Sequence, residues 1–164
     1  MKNVKLFFGL VTAVILFNIS CSTEDLTDKP VNLSYLQDGV SYDGSSNARY
    51  YLNLNDKYTI SAKINDSITF LIEIPELAVG DWSTEENGED VSITVMFSND
   101  ETSDIYTSDS DSLSFCNVSV SSYDKGTSMI EGSFSGKLGE LWNTVLQNDE
   151  YINITSGDFA VKND

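Results

Sequence analysis

From Val31 onward, apolar residues recur at every second position, and that period constrains the fold more than any other feature of the chain. Successive side chains of a strand point to opposite faces, so the pattern describes strands with one face buried and one in water. Val31, Leu33 and Tyr35 share one face of a first segment. Tyr50, Leu52 and Leu54 share a face of the next, followed by Tyr58, Ile60, Ala62 and Ile64, then by Ile68, Phe70, Ile72 and Ile74. The joins fall at Asn55-Asp56 and Asn65-Asp66, residue types that tolerate the left-handed backbone of tight hairpin loops. The three segments from Tyr50 to Ile74 therefore predict a meander. Pro75 closes it, because proline has no N–H to give to a ladder.

The alternation resumes at Val91, Ile93, Val95 and Phe97, after an acidic loop and Gly80-Asp81-Trp82. Leu113 and Phe115 are odd-numbered whereas Val118 and Val120 are even, a phase change that predicts a β-bulge near Cys116-Asn117. Asp124-Lys125-Gly126 predicts a three-residue hairpin turn with Gly126 left-handed. Ile130, Gly132, Phe134 and Leu138 share a face of the returning strand. The last strand carries Ile152 and Ile154, changes phase near Gly157, and continues with Phe159 and Val161. Leu138, Leu141, Trp142, Val145 and Leu146 fall at helical spacing instead, so a short helix is expected near 138–147. The expected fold is all-β, an antiparallel sandwich or closed barrel of about eight strands, in a single domain over 31–164.

Before this domain, Lys2 and Lys5 precede an uncharged apolar run from Leu6 to Phe17. A membrane-spanning helix takes roughly 20 such residues, so this run has the length of a signal-peptide core. It ends in Ile19-Ser20-Cys21, which resembles the bacterial lipobox. The resemblance implies a signal peptide over 1–20, cleavage before Cys21, and a diacylglycerol on the Cys21 thiol. An ordinary cleaved signal and an uncleaved anchor are the alternatives. Residues 21–30 then read as the lipidated cysteine and an acidic tether closed by Pro30. The pair Glu24-Asp25 resembles the surface-export signal of Bacteroidota lipoproteins, with a plain solvated linker as the other reading. The expectation is an outer-membrane lipoprotein held by its acyl chains, on the cell surface under the export reading and elsewhere in the cell envelope under the plain-linker reading.

Charge and missing residue types restrict the chemistry. The chain has 26 acidic against 9 basic residues, a formal net charge of −17. That balance disfavours nucleic acid, whose phosphates need Lys and Arg, and favours a cationic partner. No histidine is present, which removes Ser-His-Asp and Cys-His catalysis and ordinary zinc sites. With Cys21 acylated, Cys116 is the only thiol left, and its apolar strand context makes it a buried small hydrophobe. Asp109-Ser110-Asp111, and Asp100-Glu101 with Asp104, suggest calcium. Counting from Asp109, however, Ser114 and Val120 stand where an EF-hand needs glycine and glutamate. The clusters read as solvated loops, with an irregular multi-loop calcium site as the alternative. No metal ligand, cofactor or catalytic residue is expected.

Ile130-Glu131-Gly132-Ser133-Phe134, together with Ile154-Thr155-Ser156-Gly157-Asp158-Phe159, resembles small Bacteroidota lipoproteins of unknown function. These often end in an I-x-G-x-F strand and an I-T-x-G-x-F strand. Gly80-Asp81-Trp82 matches their G-x-Y/W step after a long apolar strand. The resemblance implies a lipid-anchored β-sandwich or barrel and supplies no catalytic residues. A non-catalytic binding or structural lipoprotein is therefore expected, with a glycan or a cationic protein as partner. Tyr42, Tyr50, Tyr51 and Trp82 are the candidates for stacking on a sugar ring, although aromatics of a β domain more often fill its core. The alternatives are a lipocalin-like carrier of a small apolar ligand and a hydrolase working through paired carboxylates.

Overall fold

The computed structural model describes residues 30–98, 103–141 and 150–163. The leader, Cys21 and the tether up to Lys29 lie outside the described residues, as do residues 142–147 of the expected helix.

The meander forms where the alternation places it, but its first strand is shorter than expected: it ends at Leu52, and Leu52 and Leu54 are exposed rather than sharing the buried face of Tyr50. Strands β3 (Arg49–Leu52), β4 (Tyr58–Asn65) and β5 (Ile68–Ile74) pair antiparallel, with Tyr50, Ile60 and Ile72 in one register row. All three side chains are buried. Asp56 takes the left-handed backbone in the first join, at φ 59°. The second join is tightened instead by the Asn65 side chain, whose Oδ1 accepts a hydrogen bond from the Ser67 N–H at 2.8 Å. Ahead of the meander, β1 (Asn32–Gln37) turns into β2 (Val40–Asp43) through Asp38 and Gly39. Their φ values of 48° and 84° give the two-residue turn whose twist suits a hairpin.

Beyond the meander come β6 (Gly80–Ser83), a four-residue helix α1 (Thr84–Asn87), β7 (Ser92–Ser98) and β8 (Ser103–Thr107). The long strands β9 (Phe115–Asp124), β10 (Met129–Glu140) and β11 (Tyr151–Asn163) follow. Hydrogen bonding runs around a closed circuit, β11–β3–β4–β5–β7–β8–β10 and back to β11. Two long strands make closure feasible by serving both layers. β10 pairs with β9 over Met129 to Lys137 and passes to β8 at Gly139 and Glu140. β11 pairs with β1 along its first part and with β3, in parallel, at Lys162 and Asn163. The result is a flattened barrel, with β1 and β2 extending one layer beyond β11 and β9 and β6 extending it beyond β10. Among the described residues eleven strands are present rather than about eight. The additional ones include β2, β6 and β8, only 4, 4 and 5 residues long, too short to show a period.

The two layers meet on an aromatic centre. The Tyr35 ring lies 4.5 Å from Phe70, and Phe70 lies 5.1 Å from Phe134, centroid to centroid. Beside them, two glycines and two phenylalanines pair reciprocally across β10 and β11. Gly132 stands opposite Phe159, and Phe134 stands opposite Gly157. Each ring lies over the glycine of the neighbouring strand, where a side chain would collide with it. This gives the repeated G-x-F motif a physical reason. The phase change near Gly157 comes from a bulge in which Ser156 adopts φ 51° and two residues of β11 oppose one of β10.

Three local expectations are corrected. The bulge in β9 lies at Ser121, where the register steps from Glu131–Ser122 to Gly132–Val120, and not near Cys116-Asn117. Leu113 and Phe115 are exposed and Cys116 is buried, so no phase change is needed there. In the β9–β10 hairpin the left-handed residue is Ser128, at φ 54°, rather than Gly126. Asp124 organises that loop by accepting hydrogen bonds from the Gly126 N–H at 2.8 Å and the Thr127 hydroxyl at 2.9 Å. Finally, Leu138 to Glu140 belong to strand β10 and not to a helix. Leu138 is buried opposite Ile152, and the Leu141 N–H donates to the Ile105 carbonyl at 2.8 Å. Strand pairing there overrides the local spacing.

Burial also sets how the core titrates. It holds the Tyr35 hydroxyl far above the ordinary tyrosine range. Burial first, and then the neighbouring Tyr123, push Tyr50 up to about 12. A tyrosine of the unfolded chain ionises near 10, so the unfolded state loses its proton first as pH rises. The stability associated with Tyr50 is intact below that value and falls away as pH climbs from 10.0 towards about 12. Thermal melts should therefore hold steady up to pH 10.0 and drop above it. A Tyr50→Phe variant should lose part of that alkaline drop, and an identical drop in the variant would count against this assignment.

Candidate functional site

The outer face of the β6-β9-β10-β11 layer presents small polar residues at successive register positions. One row runs Asp81, Ser119, Ser133, Asp158, from β6 through β9 and β10 to β11. A second row runs Ser83, Asn117, Ser135, and meets the Ser156 bulge on β11. Antiparallel neighbours in register share a face, so the alternate residues of the same strands face inward. Those residues are Trp82, Val118 and Phe134, and all three are buried. The alternation thus gives the layer an apolar inner side and a hydroxyl-rich outer side.

Because serine is short, the floor is low, and β6 with α1 rises at one side. The Ser83 hydroxyl caps α1 by accepting from the Glu86 N–H at 3.2 Å, and the Ser83 N–H donates to Asn87 Oδ1 at 3.0 Å. The cap sets Glu86 at the rim of a groove of about 480 Å³. Ser119, Ser133, Ser135 and Ser156 line it, between Asp81 and Asp158. None of these six side chains is engaged in a hydrogen bond or ion pair with another described residue. Strands lie about 4.8 Å apart, so the floor offers hydroxyl groups on a regular grid of donors and acceptors.

The aromatic candidates are not assembled into a platform. Tyr50 is 2% exposed and packs edge-on against Tyr58, with centroids 6.4 Å apart. Trp82 is 8% exposed and contributes to the groove's lining from below. Tyr42 stacks on Tyr35 at 5.2 Å. Tyr51, on β3, is 38% exposed and is the most open of the four. These residues sit on β2, β3 and β6, strands that are not neighbours. Sequence reasoning missed the serines; the signal for them was the small hydroxyl residue recurring on the outward half of β9 and β10.

The acidic loop after β8 engages its carboxylates in its own turn. Asp111 Oδ1 accepts from the N–H groups of Leu113 at 2.8 Å and Ser114 at 2.9 Å, and Oδ2 accepts from the Tyr151 hydroxyl at 2.8 Å. Slight burial acts to raise the Asp111 carboxyl, but these hydrogen bonds outweigh it and hold the group below its usual range. Asp109 accepts from the Thr107 hydroxyl. Asp100 and Glu101 lie outside the described residues. Among the described residues, no three His, Cys, Asp or Glu side chains stand together as a metal would require. Cys116 is buried, and burial pushes its thiol up.

Comparison of the chain with protein-family models, curated proteins and solved structures gives no match.

Proposed function

We propose that the chain is a lipid-anchored, non-catalytic binding protein of the outer membrane, displayed at the cell surface, and that the serine-floored groove takes a neutral polyhydroxylated ligand such as a glycan. The observation that carries this reading is the set of uncommitted hydroxyl and carboxyl groups on one sheet face. A ligand rich in hydroxyls can donate to and accept from such a grid without bringing charge of its own. Attachment rests on the apolar run ending in Ile19-Ser20-Cys21, and kinship with the small Bacteroidota lipoproteins rests on the two G-x-F strands.

Two features favour this reading over its alternatives. Asp81 and Asp158 end a row three strand spacings long, so they stand about 14 Å apart. Glycosidase carboxylates work at roughly 5–9.5 Å, which makes this pair suited to framing a ligand rather than cleaving it. The barrel interior is filled by Tyr35, Phe70 and Phe134, which favours a surface ligand over one carried inside.

Titration with a panel of neutral oligosaccharides, at low and high salt, tests the reading. Binding should be insensitive to salt and lost in Ser133→Trp, which fills the groove from an exposed position. Salt-sensitive binding, or full binding by the variant, would overturn the assignment to this groove. Anchoring is checked separately, since Cys21→Ala should move the protein from the membrane fraction to the soluble one.

A further inference from the structure

A second groove, of about 510 Å³, lies on the other side of α1. Its apolar part is Leu113 and Phe115, which are 57% and 47% exposed. Glu85, Asp109 and Asp111 line it as well. The presentation is firm: Asp111 holds the Leu113 and Ser114 N–H groups, and the Cys116 N–H donates to Thr84 Oγ1 at 3.1 Å, tying β9 to α1. Lys137 stands opposite Phe115 in register, but its Nζ lies over the Tyr151 ring, 3.8 Å from the centroid. The groove thus combines two open apolar side chains with an acidic border on a chain of net charge −17.

We propose that this groove docks a basic segment of a partner protein, one that inserts apolar side chains between Leu113 and Phe115 and sets lysines or arginines against Glu85 and Asp109. Charge complementarity selects this occupant. A second copy of the chain would bring like charge to the groove, and an anionic lipid surface would be repelled by it. Because the apolar pair is already held in place, little ordering cost attends binding, which favours a short segment. The site is separate from the serine-floored groove and does not depend on what that groove binds.

The probe is a fluorescent peptide of alternating lysine and leucine, titrated by anisotropy into the full chain in detergent. Peptides with glutamate replacing lysine, or glycine replacing leucine, serve as controls. The lysine–leucine peptide should bind best and weaken about tenfold or more in a Leu113→Ser/Phe115→Ser variant. Higher salt should weaken it too, and Ser133→Trp should leave it unchanged. Glu85→Lys, an exposed change that leaves the apolar pair in place, should also weaken binding and keeps the test open if the double variant does not fold. Equal binding of the lysine–glycine peptide would mean charge alone and would overturn the proposal. So would unchanged binding by either groove variant, or self-association of the chain through Phe115.

Discussion

Gly132→Ala is expected to destabilise the domain by about 3 kcal/mol, the upper end of what overpacking a core usually costs. A β-carbon at this position would lie 2.0 Å from the Ser119 carbonyl oxygen and 2.5 Å from the tip of the Phe159 ring. The first neighbour is backbone of the paired strand β9, so it cannot turn aside, and relief requires β9 and β10 to separate. Urea denaturation measures the change directly. Gly39→Ala provides the contrast. Gly39 has φ 84° but nothing within 4 Å of an added β-carbon, so only the left-handed backbone opposes the methyl, at about 1–2 kcal/mol. If the two variants were equally stable, crowding between β9 and β10 would not be what requires glycine at position 132.

Phe134→Ala should be at least as damaging, at about 3–5 kcal/mol, because it empties the middle of the aromatic centre. Its ring meets Phe70 at 5.1 Å and Phe159 at 6.4 Å, and it covers Gly157. The three atoms nearest a β-carbon at Gly157 all belong to the Phe134 ring, at 2.4 to 2.6 Å. Gly157→Ala should therefore destabilise the native protein but be nearly neutral in a Phe134→Ala background. The companion pair should behave differently. Removing the Phe159 ring leaves the Ser119 carbonyl oxygen in place, so Phe159→Ala should rescue Gly132→Ala only in part. Full rescue in both pairs, or in neither, would contradict the reciprocal packing of rings over glycines.

The parts of this architecture that depend on local alternation were legible in the sequence. The strands from Tyr50 to Ile74 and the inward face of Gly132 and Phe134 follow from period and residue type. The misread positions are those where a partner distant in sequence decides. Leu138 joins a strand because Ile152 pairs with it, although its spacing to Leu141 and Trp142 suits a helix. Gly126 is the residue expected to be left-handed, yet the Asp124 side chain organises the loop so that Ser128 takes that role. β6 and β8 are short and gain their strand identity from β9 and from β7 with β10. The candidate groove was hidden for the same reason. Its serines are ordinary outward residues in each strand, and only the register of four strands places Ser119 and Ser133 between Asp81 and Asp158. Tyr50 and Trp82 had the chemistry for stacking, but their inward phase buries them.

The most direct test of the proposed groove is backbone amide chemical-shift mapping of the full chain in detergent during titration with the oligosaccharide that binds best. Shifts centred on Ser119, Ser133, Ser135, Ser156 and Asp158, with the sugar recovered intact, are the result this account predicts. Shifts centred instead on the interior around Phe70 and Tyr35, or release of a cleaved sugar that stops in Asp81→Asn or Asp158→Asn, would contradict it.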